Sequence, residues 1–107
     1  MTNEEMTRII ANHYGYDNQS HQCVEEMAEL MIAINKFRRK EIPNRNNYEL
    51  MQDIYEEIAD VEVLLEQLKY FFNCYDEVNA MKEYKLKREL ERIKTARGEK
   101  NDAEKSD

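Results

Sequence analysis

Apolar residues recur every three or four positions along most of this chain, a spacing typical of amphipathic α-helices. The breaks in this periodicity fall in the segments HYGYDN, EIPNRNN and NCYD, and the first two contain Gly15 and Pro43. Helical periodicity with so few breaks predicts an all-α fold. The four predicted helices cover about residues 3–13, 19–40, 47–72 and 76–97.

Polar residues that can cap a helix precede three of these segments. Thr2 or Asn3 can cap the first helix, and two glutamates follow at the positive end of its dipole. We expect Asn46 or Asn47 to cap the third helix and Asp76 to cap the fourth.

The second predicted helix carries carboxylates on its apolar arc. At about 100° per residue, Glu26 falls between Ala33 and Phe37, and Glu29 falls at the edge of the arc. Glu25 lies on the opposite face, as a solvated residue should. A charge inside an apolar arc costs free energy unless something compensates it. The other members of the arc are Cys23, Val24, Met27, Leu30, Met31 and Ile34.

The third predicted helix repeats the same departure from the pattern. Glu57 lies within its apolar arc, Asp60 lies at the edge, and Glu56 points outward. The two helices therefore carry matching pairs of carboxylates, each pair spaced by three residues. The apolar members of this arc are Leu50, Ile54, Ile58, Val61, Leu64, Leu65, Leu68, Phe71 and Phe72.

An antiparallel hairpin that turns at Pro43 brings these pairs to the same height. Glu29 and Glu57 lie equally far from Pro43 along the sequence, and so do Glu26 and Asp60. A shift of the turn by two or three residues displaces the pairs by less than one helical turn. The sequence thus predicts four carboxylates on one patch between two helices.

Carboxylates that converge at the edge of a core repel one another and lose solvation, so protons or cations must neutralise some of them. His13 and His21 do not follow a suitable Glu by three residues, so the Glu-x-x-His pattern of ferritin-like di-iron sites is absent. A set of oxygen ligands favours Mg²⁺ or Mn²⁺. A single E-x-x-E is usually only a solvated face, whereas two matched sets inside apolar arcs favour a metal site.

Composition narrows the class of partner. The chain has 107 residues and a net charge of −7, which argues against nucleic acid and anionic membrane surfaces as partners. No apolar run approaches the length of a membrane span. Cys23 and Cys74 form no metal motif, so we expect them to be reduced thiols in a cytoplasmic protein. The length fits one domain over residues 1–97, with a disordered polar tail over 98–107.

The segments EEMAEL and EEIADV, at residues 25–30 and 56–61, resemble the E-x-x-E…E-x-x-D signature of the MazG-like all-α nucleoside triphosphate pyrophosphohydrolases. The resemblance covers about residues 15–95. It implies a four-helix MazG-like bundle built on an antiparallel helical hairpin and assembled into a homodimer or homotetramer. It also implies Mg²⁺-dependent cleavage of a (d)NTP to a (d)NMP and pyrophosphate, a reaction that serves nucleotide-pool house-cleaning.

The resemblance also assigns roles to the four carboxylates. Mg²⁺, for which Mn²⁺ can substitute, is held by this set. Apart from the resemblance, Glu26 is the most deeply placed of the four, so we expect it also to orient the attacking water. The implied metal ligands are Glu26, Glu29, Glu57 and Asp60.

Two further pairs of residues are candidate substrate contacts. Lys85 and Arg88 are similar to a Lys-x-x-Arg segment of the family and are expected to contact phosphate; the alternative is a solvated helix laced with Glu–Lys pairs. Gln19 and Gln22 precede the first carboxylate pair and are expected to face the nucleoside, unless they are ordinary polar residues at a helix start.

Two functions from different classes stay open at this point. The first is a nucleotide pyrophosphohydrolase, and the second is a non-catalytic helical module that dimerises or binds a protein partner. They differ in what the carboxylates do, because only the enzyme requires them to bind metal.

Overall fold

The computed structural model describes residues 1–39 and 47–98, which form three helices. These are α1 (Asn3–Arg39), α2 (Asn47–Phe72) and α3 (Tyr75–Ala96). No strand occurs in the two described ranges, so the all-α prediction is confirmed. The predicted turn at Pro43, the Asn46 cap, the predicted helix end at Lys40 and all of the tail beyond Gly98 lie outside the described residues.

The cap predicted at the start of α1 is present. Thr2 Oγ1 accepts a hydrogen bond from the backbone N–H of Glu5 at 3.1 Å, and Glu5 Oε2 accepts one from the Thr2 N–H at 3.4 Å. The cap predicted for the last helix is wrong. Cys74 occupies the N-cap position of α3 without a side-chain cap, and Asp76 lies in the first turn, where its charge favours the helix dipole.

The break predicted between the first two helices is shorter than the pattern suggested. Only Gly15 departs from helical geometry, with φ 86° and ψ 164°, and helix continues on both sides of it as one kinked α1. This region of backbone space is essentially restricted to glycine. The prediction of a break over the segment HYGYDN, residues 13–18, is therefore wrong, because one glycine suffices to redirect the chain.

The contact between α1 and α2 forms a hairpin with a small core. Apolar side chains from both helices fill it, and a buried hydrogen bond joins Gln19 Nε2 to Gln67 Oε1 at 2.7 Å. Gln19 and Gln67 are equidistant from Pro43 in sequence, which is the register predicted for the carboxylates. The buried apolar residues are Ala11, Cys23, Ala33, Leu50, Val61 and Leu64.

The N-terminal part of α1, before Gly15, also contacts α2. Tyr70 donates a hydrogen bond from its hydroxyl to Asn12 Oδ1 at 3.0 Å. Just after the kink, the ring of Tyr16 meets those of Phe71 and Phe72 edge-on, with centroids 5.6 and 5.5 Å apart. These contacts anchor the kinked end of α1 near the end of α2.

The chain divides into two compact units, Met1–Asn73 and Cys74–Asp107. Taken by itself, α3 buries none of its residues and carries ion pairs along its surface, including Glu83–Lys87 and Glu89–Arg92. Cys23 and Cys74 are free thiols. Within residues 1–39 and 47–98, no helix is both long and apolar enough to cross a lipid bilayer.

Candidate metal centre

The two central carboxylates of the site each lie in line with buried residues of their own helix. On α1, Glu26 stands seven residues after Gln19 and seven before Ala33; these two neighbours are buried and Glu26 is half-buried. On α2, Glu57 stands in the same way between Leu50 and Leu64. A helix nearly repeats its orientation every seven residues, so each Glu occupies a core-facing position.

The structure brings three of the four predicted ligands together. Each of Glu26, Glu57 and Asp60 offers one ligand atom, and these atoms all lie within 4.8 Å of one another. Glu26 and Glu57 are half-buried and Asp60 is exposed. The cluster therefore lies where the α1–α2 contact meets solvent.

Crowding in this cluster favours the protonated carboxyls. The pKa of Glu57 is raised, first by burial, then by a hydrogen bond with Glu26 and its charge, and further by the charges of Asp60 and Glu29. The pKa of Asp60 is also raised, first because its carboxyl loses part of its solvation beside the other helix, and then by the charge of Glu26 and a hydrogen bond with it. In the metal-free chain these groups repel one another, and a bound cation would reverse that effect.

One atom of the cluster has no partner within the described chain. Glu57 Oε2 is shielded from solvent and accepts no hydrogen bond. A buried polar atom without a partner costs free energy, and such atoms often mark the position of an ion or water. The residues present fit a divalent cation, since they supply only carboxylate oxygens and leave one buried oxygen unsatisfied.

Glu26 has a polar neighbour that sequence reasoning assigned to another role. Gln22 donates a hydrogen bond from Nε2 to Glu26 Oε1 at 2.9 Å. The two residues stand one helical turn apart on α1, and this i,i+4 spacing was the signal in the sequence that could have revealed the contact.

Glu29 lies beside the cluster rather than within it. It is exposed, and its charge contributes to the raised pKa of Glu57. Its place among the metal ligands stays a prediction.

The two glutamines predicted to face a nucleoside both have partners inside the protein. Gln19 is bonded to Gln67 and Gln22 to Glu26. Both also line a surface concavity close to the carboxylates, and their role in nucleoside binding stays a prediction. The concavity is lined by Tyr14, Asn18, Gln19, His21, Gln22 and Glu25.

The predicted phosphate contacts lie on α3. Lys85 is exposed and Arg88 is half-buried. The guanidinium carbon of Arg88 lies 5.6 Å from the centroid of the Tyr84 ring, a cation–π contact within the helix. Their contact with phosphate stays a prediction.

The resemblance of the two acidic motifs to MazG-like proteins also stays a prediction. Compared with known proteins, the chain matches no family model, no curated protein and no solved structure.

Proposed function

We propose that the protein is a cytoplasmic, Mg²⁺-dependent, MazG-like nucleoside triphosphate pyrophosphohydrolase that converts a (d)NTP to a (d)NMP and pyrophosphate. The observation that carries the proposal is the convergence of Glu26, Glu57 and Asp60 from two helices, with their ligand atoms within 4.8 Å. Placing acids at core-facing positions destabilises the hairpin unless protons or a cation offset the charge, and at neutral pH a cation is the more effective of the two. A bound metal ion would compensate this cost and so account for the acids at these positions.

Glu26, Glu57 and Asp60, joined by Glu29, would hold the metal. Mg²⁺ supplies Lewis-acid chemistry when bound and offsets the repulsion between an acidic protein and a triphosphate. Glu26 orients the attacking water, because its carboxylate neighbours both Glu57 and Asp60 and one of its oxygens accepts a hydrogen bond from Gln22. Cleavage between the α- and β-phosphates then gives the monophosphate and pyrophosphate.

The proposed contacts with phosphate and with the nucleoside come from different parts of the chain. The net charge of −7 means that phosphate binding needs local positive charge, which Lys85 and Arg88 provide on α3. The concavity that contains Gln19 and Gln22 supplies amides and a tyrosine ring for the nucleoside.

We also propose that the chain assembles into a homodimer or homotetramer in which helical hairpins form a four-helix bundle. Each helix of the hairpin exposes an apolar stripe at helical spacing, and monomeric proteins rarely expose large contiguous apolar patches. Neither stripe includes a carboxylate of the cluster. The stripe on α1 is Val24, Met27, Met31 and Ile34, and the stripe on α2 is Met51, Ile58, Leu65 and Phe72.

A substrate panel tests the proposed reaction. The protein is incubated with each common and damaged nucleoside triphosphate, with and without Mg²⁺, and monophosphate and pyrophosphate are measured. We expect metal-dependent release of both products from at least one nucleotide. Self-association without turnover across the panel, with Mn²⁺ also tried, would instead support the non-catalytic helical module, which the exposed apolar stripes also favour.

A further inference from the structure

The hydrogen bond between Gln22 and Glu26 joins a neutral side chain to the centre of the carboxylate cluster. Gln22 Nε2 lies 2.9 Å from Glu26 Oε1, within normal hydrogen-bond distance. Both residues lie on α1, one turn apart, so the helix backbone places the two side chains on the same face and within reach of each other. The contact does not depend on the packing of another element.

This bond restricts the orientation of the Glu26 carboxylate. A carboxylate on a flexible glutamate side chain rotates among several positions, and ordering it costs conformational free energy on metal binding. A donor that holds one oxygen in advance lowers that cost. Partners of this kind orient metal ligands in many proteins, and their removal typically weakens metal binding by about 10- to 100-fold.

The neutral charge of Gln22 suits this role. A lysine or arginine at the same position could also donate to Glu26, but its positive charge would compete with a cation for the cluster. An amide supplies the donor while leaving the negative charge of Glu26, Glu57 and Asp60 available to metal. Gln22 therefore orients the Glu26 carboxylate without adding positive charge to the cluster.

We propose that Gln22 is a positioning residue of the metal centre, which acts by holding the Glu26 carboxylate in place. The proposal rests on the proposed function, since it requires that Glu26 bind a divalent cation. This role can be distinguished from a contact with the nucleoside alone, because such a contact has no effect on metal affinity when nucleotide is absent.

Titration of the full chain with Mn²⁺ alone, followed by electron paramagnetic resonance, tests this role. The free Mn²⁺ signal gives the affinity, and the spectrum of the bound ion reports the symmetry of its ligands. Gln22→Met keeps the length of the side chain and removes the donor. Gln52→Met makes the same change at an exposed position of α2 and serves as the control.

We expect Gln22→Met to weaken Mn²⁺ binding by about 10-fold and to alter the bound spectrum, while Gln52→Met stays within about twofold of the wild type. Thermal unfolding without metal checks that each variant is folded. Gln22→Ala repeats the test with a residue of high helix propensity if the methionine variant fails to fold.

The outcomes separate this proposal from the function on which it rests. Unchanged affinity in Gln22→Met, or equal weakening in Gln52→Met, overturns the positioning role. If Glu26→Gln loses binding in that case, the metal centre still stands and only the role of Gln22 fails. If Glu26→Gln binds Mn²⁺ as the wild type does, or if the wild type binds none, the metal centre fails and the role of Gln22 fails with it.

Discussion

Gln19 and Gln67 join their side-chain amides in a 2.7 Å hydrogen bond across the contact between α1 and α2. Gln67 is 1% exposed and Gln19 is 9% exposed, so the bond lies in the core. Any slip between the helices would leave these amides without partners in a buried environment. The pair therefore favours the register that also brings Glu26 next to Asp60.

Gln67→Leu is expected to lower the free energy of unfolding by about 1–3 kcal/mol, because the buried Gln19 amide loses its partner. Replacing both glutamines with leucine should recover most of that loss. Urea denaturation of the two single variants and the double variant measures the coupling. Gln52→Leu, at an exposed position, should change stability by less than about 0.5 kcal/mol. Strictly additive effects at the two buried sites would contradict the pairing.

The sequence was sufficient to predict the hairpin and its central carboxylates. The period of the apolar residues is set by helix geometry, so a Glu at a core-facing position such as Glu26 or Glu57 can be recognised from spacing alone. The Thr2 cap was equally visible, since a cap needs only local residues.

Features that depend on three-dimensional packing were not visible in the sequence. Gln19 read as a surface residue, because its partner Gln67 is distant in sequence and both are polar. The direction taken at Gly15, which brings Asn12 to Tyr70, is set by one residue's backbone angles and not by any periodic pattern. Cys74 at the N-cap of α3 could not be preferred over Asp76, since cysteine is a poor capping residue.

The metal-free protein should lose stability as pH rises through the titration of Glu57 and Asp60. Folding raises the pKa of each, first through lost solvation and then through the neighbouring carboxylates, so the native state binds these protons more tightly than the unfolded chain. The resulting stability is fully present below the unfolded pKa, about 4, and is lost as pH rises through the raised folded pKa. Thermal unfolding across this range in the absence of divalent cations measures the effect.

Glu57→Gln isolates the contribution of one group to this pH dependence. The variant should be more stable than the wild type above the folded pKa of Glu57, and the difference should shrink on acidification. Glu56→Gln, one residue away and exposed, is the matched control and should follow the wild type. If the stability of Glu57→Gln and of Glu56→Gln varied with pH in the same way, repulsion within the cluster would not contribute to the stability of the protein.

Gly15→Ala should destabilise the protein by about 1–3 kcal/mol, because a φ of 86° with a ψ of 164° strains any L-residue with a β-carbon. No atom lies within 4 Å of the added carbon, so the cost is a backbone cost and not a clash. A chain assembled by ligation with D-alanine at position 15 is the control, since D-residues favour positive φ. Equal stability of the L- and D-alanine forms would contradict this explanation.

The wild-type chain should self-associate through the exposed stripes of α1 and α2. Met31→Lys and Leu65→Lys each place a charge in a stripe and should shift the protein towards smaller species in sedimentation velocity experiments. Gln52→Lys, outside the stripes, should leave the distribution unchanged. A wild-type chain that is monomeric at micromolar concentration would rule out the proposed assembly.

Calorimetric titration of Mg²⁺ into the wild type, Glu57→Gln and Glu56→Gln tests the metal centre most directly. Glu57 carries the buried oxygen that lacks a hydrogen bond, whereas Glu56 is exposed on the adjacent position of the same helix. We predict that the wild type and Glu56→Gln bind Mg²⁺ with similar affinity and that Glu57→Gln loses most of that binding. Equal binding by all three proteins, or no binding by the wild type, would contradict the metal centre.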